Sequence, residues 1–196
     1  MSRRLREAPA ERQRGRAVSR QSFDSLFESF ERSVFRLEAL PVYDVGGADA
    51  ERFRAFQEGR PLSVRSVRTS PWLARIAVST VTAGKAWSRL RVVDSPLTPY
   101  QRYSLEAYRE SQAAGEEIFL APRSVGRDWG PDFWLFDGGT PMARAALMQY
   151  SPDGQFQGFE FVEDPEVLAR MEQKRLVAVA NSVPLNVFLA EDVVGA

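Results

Sequence analysis

Between residues 86 and 180 strand-like and helix-like patterns follow one another, each closed by Pro or Gly, and this punctuation constrains the fold more than any other feature of the chain. Trp87-Ser88-Arg89-Leu90-Arg91-Val92-Val93 alternates apolar and polar residues until its last two, the pattern of a strand. Residues 98–114 read as a helix, with Thr98 as N-cap, Pro99 at the first helical position and Gly115 just past the end. Glu116 to Leu120 and Asp132 to Asp137 are two further strands, the second followed by Gly138-Gly139. The stretches 143–150 and 155–162 form a hairpin across Ser151-Pro152-Asp153-Gly154, and Pro165 opens a helix that runs through residue 181. The order strand, helix, strand, strand, hairpin, helix predicts an α+β fold, a mixed, largely antiparallel sheet of about five strands with flanking helices. The two strands joined through residues 98–114 are expected to be parallel neighbours by a right-handed crossover.

Upstream, residues 21–84 read as a mostly helical part preceding this sheet domain of residues 85–196. Phe23, Leu26, Phe27, Phe30 and Val34 recur at helical spacing behind Ser22 as N-cap, and Val34 to Glu38 alternates like a short strand. Pro41 to Ala48 is a turn, residues 48–58 a short helix ending at Gly59, and Pro71 starts another that ends near Gly84. Pro184 breaks the last helix, and a short apolar tail runs to Ala196.

The composition removes whole classes of chemistry. The chain has no histidine and no cysteine, which excludes disulfides, thiolate metal sites, thiol nucleophiles and every Ser-His-Asp triad. No phosphate-binding G-x-x-x-x-G-K-[ST] occurs, and nothing calls for a cofactor or a metal. Its 26 basic and 26 acidic residues cancel, but Arg3, Arg4, Arg6, Arg12, Arg14, Arg16 and Arg20 against Glu7 and Glu11 leave the first twenty residues strongly basic. That segment reads either as a solvated, disordered leader or as an arm for nucleic acid or an acidic partner. No apolar h-region follows its arginines, and no apolar run reaches membrane-spanning length, which favours the cytoplasm.

Several phrases carry a family resemblance when taken in order: Phe27 to Glu38, Leu90 to Tyr103, Ala114 to Ile118, Asp132 to Asp137 and Tyr150 to Gly154. Over residues 23–180 the chain resembles the actinobacterial "domain of unknown function 6879" family. The resemblance implies a cytoplasmic bacterial protein encoded near helix-turn-helix regulators, with no catalytic residue to carry over; the basic leader departs from the shared pattern. A looser similarity is to half of a phospholipase-D-like fold, whose histidine nucleophile this chain lacks.

Two surfaces are candidates for function. The loop Asp94 to Thr98 meets the start of the helix at Pro99, where α/β units place anionic ligands, so Ser95, Thr98, Tyr100, Arg102, Tyr103, Glu106 and Asp137 form the candidate ligand-binding set. Arg102 would clamp a carboxylate or phosphate there. Arg102, Glu106, Arg109 and Glu110 read otherwise as a solvated ion-pair face. Glu106, Glu116, Glu117, Asp132 and Asp137 would hold Mg²⁺ if they converged, although the Lys of a metallonuclease motif is absent. Trp72, Trp87, Trp129 and Trp134 are expected in the core. The second surface is the helix bearing Phe23, Phe27 and Phe30, which would dock in a partner's groove or pack on its own domain. The expected function is a non-catalytic regulatory or interaction module that binds a protein, a DNA-binding regulator being the leading candidate. The alternative is a small-molecule or phosphate sensor, or a carboxylate-based hydrolase, using the pocket around residues 95–106.

Overall fold

The computed structural model describes residues 20–125 and 129–194, so the basic leader, Arg20 apart, lies outside them. In chain order its elements are α1 (Arg20–Ser29), β1 (Ser33–Glu38), α2 (Gly47–Gln57), α3 (Pro71–Ala83), β2 (Ala86–Val93), α4 (Pro99–Ala113) and β3 (Glu116–Pro122), then a 3-10 turn (Arg123–Val125). There follow β4 (Phe133–Phe136), β5 (Arg144–Tyr150), β6 (Phe156–Val162), α5 (Pro165–Ala180), β7 (Val183–Pro184) and α6 (Leu185–Val194). The strands form one mixed sheet in the order β6-β5-β4-β1-β2-β3-β7. β1, β2 and β3 are parallel; β4, β5, β6 and β7 pair antiparallel. The sheet thus has seven strands against the five expected, because β1 and the short β7 join it. β1 lies between β4 and β2, so residues 21–84 and 85–196 share one hydrogen-bonded core.

Local signals hold where capping decides. Thr98 and Gln101 form a capping box at α4 behind Pro99, and Ser70 caps α3, which ends on Gly84 in the left-handed region. At α1 the helical spacing overshoots. Arg20 is already helical, so Ser22 is internal and not the N-cap, and the helix stops at Ser29, so Val34 belongs to β1. The cause lies more than a hundred residues away. The buried Asp137 carboxylate accepts the N–H groups of Glu31 at 2.9 Å, Arg32 at 2.7 Å and Ser33 at 3.1 Å, turning the chain from helix into strand. The apolar tail after Pro184 is α6, whose Leu185, Phe188 and Leu189 pack with Ile118 and Leu120 of β3.

Each sheet face is covered. One packs Phe35, Leu37, Leu90, Val92, Phe133 and Leu135 against Leu168, Met171 and Ala178 of α5. The other carries an aromatic cluster: Phe27 stacks on Trp87 at 5.8 Å between ring centroids and meets Trp134 and Phe136 edge-on at 5.0 Å. Phe30 is 1% exposed and Phe27 5%, while Phe23 packs on Phe159. The expectation that Phe23, Phe27 and Phe30 dock a partner is therefore corrected: these rings fill their own core and present no exposed stripe. No helix among the described residues is long and apolar enough to cross a membrane.

Removing Phe27 or the Asp137 carboxylate should be costly. Phe27→Ala is expected to lower unfolding free energy by about 3–5 kcal/mol, and Asp137→Ala, which strands three backbone donors, by about 3 kcal/mol or more. Urea titration reads both; losses under roughly 1 kcal/mol would contradict this packing.

Candidate functional site

On the aromatic face the core changes character toward the C-terminal ends of the parallel strands. Alternation puts Val34, Arg36 and Glu38 of β1 beside Trp87, Arg89 and Arg91 of β2, in register. Arg36, Arg89, Arg91, Glu116 and Asp132 are all buried. Charges removed from water are tolerable only with close partners. Arg36 reaches Asp132 at 2.9 Å and the Tyr150 hydroxyl at 3.1 Å. Asp132 also accepts the Ala39 N–H at 2.8 Å and the Tyr43 hydroxyl. Arg89 forks between Glu38 at 2.5 Å and Glu116 at 3.0 Å, and Tyr108 donates to the other oxygen of Glu38. Arg91 makes no ion pair among the described residues. It donates to the Pro41 carbonyl at 3.3 Å and lies 4.9 Å from the Tyr43 ring centre and 5.9 Å from that of Tyr100.

These neighbours set the protonation states. Burial works against a charged Glu38, but Arg89, Arg36, Arg91 and the Tyr108 hydroxyl outweigh it and hold the carboxyl at about 2. Burial, with Glu38 alongside, pushes Tyr108 well above the ordinary tyrosine range, and burial with Asp132 does the same to Tyr43. Burial raises Glu116 despite its contact with Arg89.

Above this layer is a cavity of about 310 Å³ with Glu38 and Arg89 in its floor. α4 supplies Tyr100, Tyr103, Ser104, Ala107 and Tyr108; Ser70 and Trp72 line the α3 side. α2 forms the roof with Asp49 and is fastened through charge as well as apolar contact. Arg52 grips Glu110 of α4 at 2.7 and 3.1 Å, and Arg65 bridges Glu110 at 2.7 Å and Asp49 at 2.8 Å. Phe53 lies against Tyr100 and Tyr103, at 5.5 and 5.3 Å between centroids. The segment after β1 closes the strand ends: Thr98 donates to Pro41, Arg123 to Ala39, and the Asp44 N–H to Gly154. Gly154 is required there, since a Cβ would stand 2.6 Å from the Val42 carbonyl.

The residues singled out from sequence divide among five places. Tyr100 and Tyr103 line the cavity. Ser95 and Arg102 line a separate groove of about 830 Å³ at the ends of β2 and β3, with Arg123 and Phe188. Thr98 is occupied as the cap of α4, and Glu106 pairs with Arg109 at 3.3 Å on the exposed face, as a solvated ion pair would. Asp137 sits at the opposite end of the sheet, beside the start of β1. The loop between β2 and α4 is held by its own side chains. Gln101 accepts the N–H groups of Asp94 and Thr98, and the Asp94 carboxylate takes Arg123 at 2.5 Å, a contact that lowers its pKa. The acidic set disperses, with Glu117 exposed and Glu116, Asp132 and Asp137 each engaged elsewhere. Among the described residues no group of three or more acidic side chains is placed to hold a metal ion. Sequence reasoning missed Arg36, Glu38, Arg89, Arg91, Tyr43 and Tyr108 as site residues.

Residues 21–190 match the family described as Domain of unknown function (DUF6879), and the chain belongs to that family. No curated protein matches the chain.

The depressed Glu38 pKa fixes a pH dependence. Its contribution is complete above the ordinary value of 4.5 and is lost as pH falls toward about 2. It amounts to about 3 kcal/mol. Glu116, shifted upward, opposes it in sign. Unfolding free energy measured from pH 6 to pH 2 should fall more steeply in the native protein than in Glu38→Gln; parallel curves would refute the buried ionised carboxylate.

Proposed function

We propose that this protein is a non-catalytic, cytoplasmic ligand-sensing module that takes a small molecule into the cavity beneath α2 and works with a protein partner. The observation that carries the reading is the placement of the buried Arg-Glu-Tyr network as the floor of that cavity. Well-packed apolar side chains in the same volume are often at least as stable as buried ion pairs. Departures from local rules concentrate where function requires them.

Binding is favoured over turnover by the protonation states. A general base works best with a pKa near the operating pH. Glu38, at about 2, is far too weak a base, and its oxygens are taken by Arg89 and Tyr108. Tyr43 and Tyr108 are shifted away from ionisation. These groups are suited to holding hydrogen bonds in fixed directions.

A separate observation supports the protein partner. On the face away from the cavity, exposed Val125 and Val177 border an apolar groove with Trp129 and Ala178. It replaces the phenylalanine stripe as the surface for such contact. A helix-turn-helix regulator fits the family's gene setting.

The test is thermal stabilisation by fractionated small molecules from a native bacterial host, read on three proteins. A saturating fraction should stabilise the native chain by about 3 kcal/mol at hundredfold excess over Kd. Ala107→Phe, which fills the cavity, should abolish the effect, and Arg102→Ala, in the other groove, should keep it. The opposite pattern, or turnover lost in Glu38→Gln, would overturn the reading.

A further inference from the structure

Resting on the reading of the cavity as a ligand site, we infer that its ligand is an uncharged polyol the size of one sugar ring. The cavity's ionised walls are already matched. Glu38 is held by Arg89 at 2.5 Å, the second arm of Arg89 by Glu116 at 3.0 Å, and Arg65 by Asp49 at 2.8 Å and Glu110 at 2.7 Å. An anionic ligand would have to draw an arginine from its carboxylate, and a cationic one a carboxylate from its arginine. Either exchange leaves a largely buried charge without its partner, the costly outcome for an interior ion pair.

What the walls do offer is neutral. Ser70, which accepts the Leu73 N–H at 3.4 Å, keeps its own hydroxyl hydrogen, and Trp72 lines the same cavity. Tyr100 and Tyr103 add flat aromatic surface to the same cavity. Donors beside aromatic rings suit a molecule with hydroxyls at its rim and C–H groups on its faces. Size agrees: about 310 Å³ holds roughly ten waters, or one ring of about a dozen heavy atoms. The mouth lies at Asp49 and Arg65, whose side chains are 50% and 27% exposed.

Calorimetric titration of the full chain with D-glucose, D-galactose, D-ribose and myo-inositol, each against its phosphate, and with D-glucosamine, tests this. At least one neutral ring should bind about tenfold more tightly than its charged counterparts, with affinity unchanged between low and high salt. Ala107→Phe should weaken it by about tenfold or more, and Arg102→Ala should not. Preference for a phosphate or for glucosamine, salt-dependent and lost in Ala107→Phe, would overturn the uncharged ligand while leaving the cavity as a binding site. Binding by none of the probes would overturn the polyol. If, in addition, the host fractions stabilise the native chain and Ala107→Phe alike, the cavity reading falls too.

Discussion

The fork of Arg89 between Glu38 and Glu116 is the interaction on which the rest depends. It joins β1, β2 and β3 side by side through one guanidinium, at 2.5 and 3.0 Å, among side chains that are largely buried. Arg36 with Asp132 extends the same pattern to the end of β4. Because charged groups cannot be left bare in such a place, their partners specify where neighbouring elements sit. Tyr108 must come from α4 and Tyr43 from the segment after β1. The network therefore constrains register and helix placement together, whatever its net contribution to stability.

The same layer separates two kinds of core. Toward the start of the parallel strands, Phe27, Trp87, Trp134 and Phe136 pack ring against ring, and Asp137 fastens the turn into β1. Toward their ends the face is polar, and the cavity opens there. α2 covers it with salt bridges through Arg52 and Arg65 as well as the rings of Phe53 and Phe56, so its attachment depends strongly on one α4 residue, Glu110.

Much of the architecture was legible from local chemistry. Thr98-Pro99 placed the start of α4, Ser151 to Gly154 placed the hairpin, and β2 and β3 are the expected parallel pair. What escaped was set at long range. The end of α1 is decided by Asp137, and nothing near Ser29 announces it. Arg36, Glu38, Arg89 and Arg91 occupy the polar positions of alternating strands, which ordinarily means a solvated face. Here α3 and α4 cover that face, so the alternation describes a buried charged layer. The register sets Arg36 beside Arg89 and Glu38 beside Arg91, and the ion pairs form off that register, from Arg89 to Glu38 and from Arg36 to Asp132, so spacing along either strand does not announce them. The candidate ligand set is spread over several places in the fold. α4 lines the cavity through Tyr100 and Tyr103, whereas in the loop before it Asp94 pairs with Arg123.

An ionised carboxylate stands in the cavity floor, held by Arg89. Carbon-13 NMR titration of the Glu38 side-chain carboxyl reads it directly. The resonance should stay at its ionised shift through the ordinary carboxylate range and titrate only near pH 2. Titration centred near 4.5, the value of an unperturbed glutamate, would contradict it.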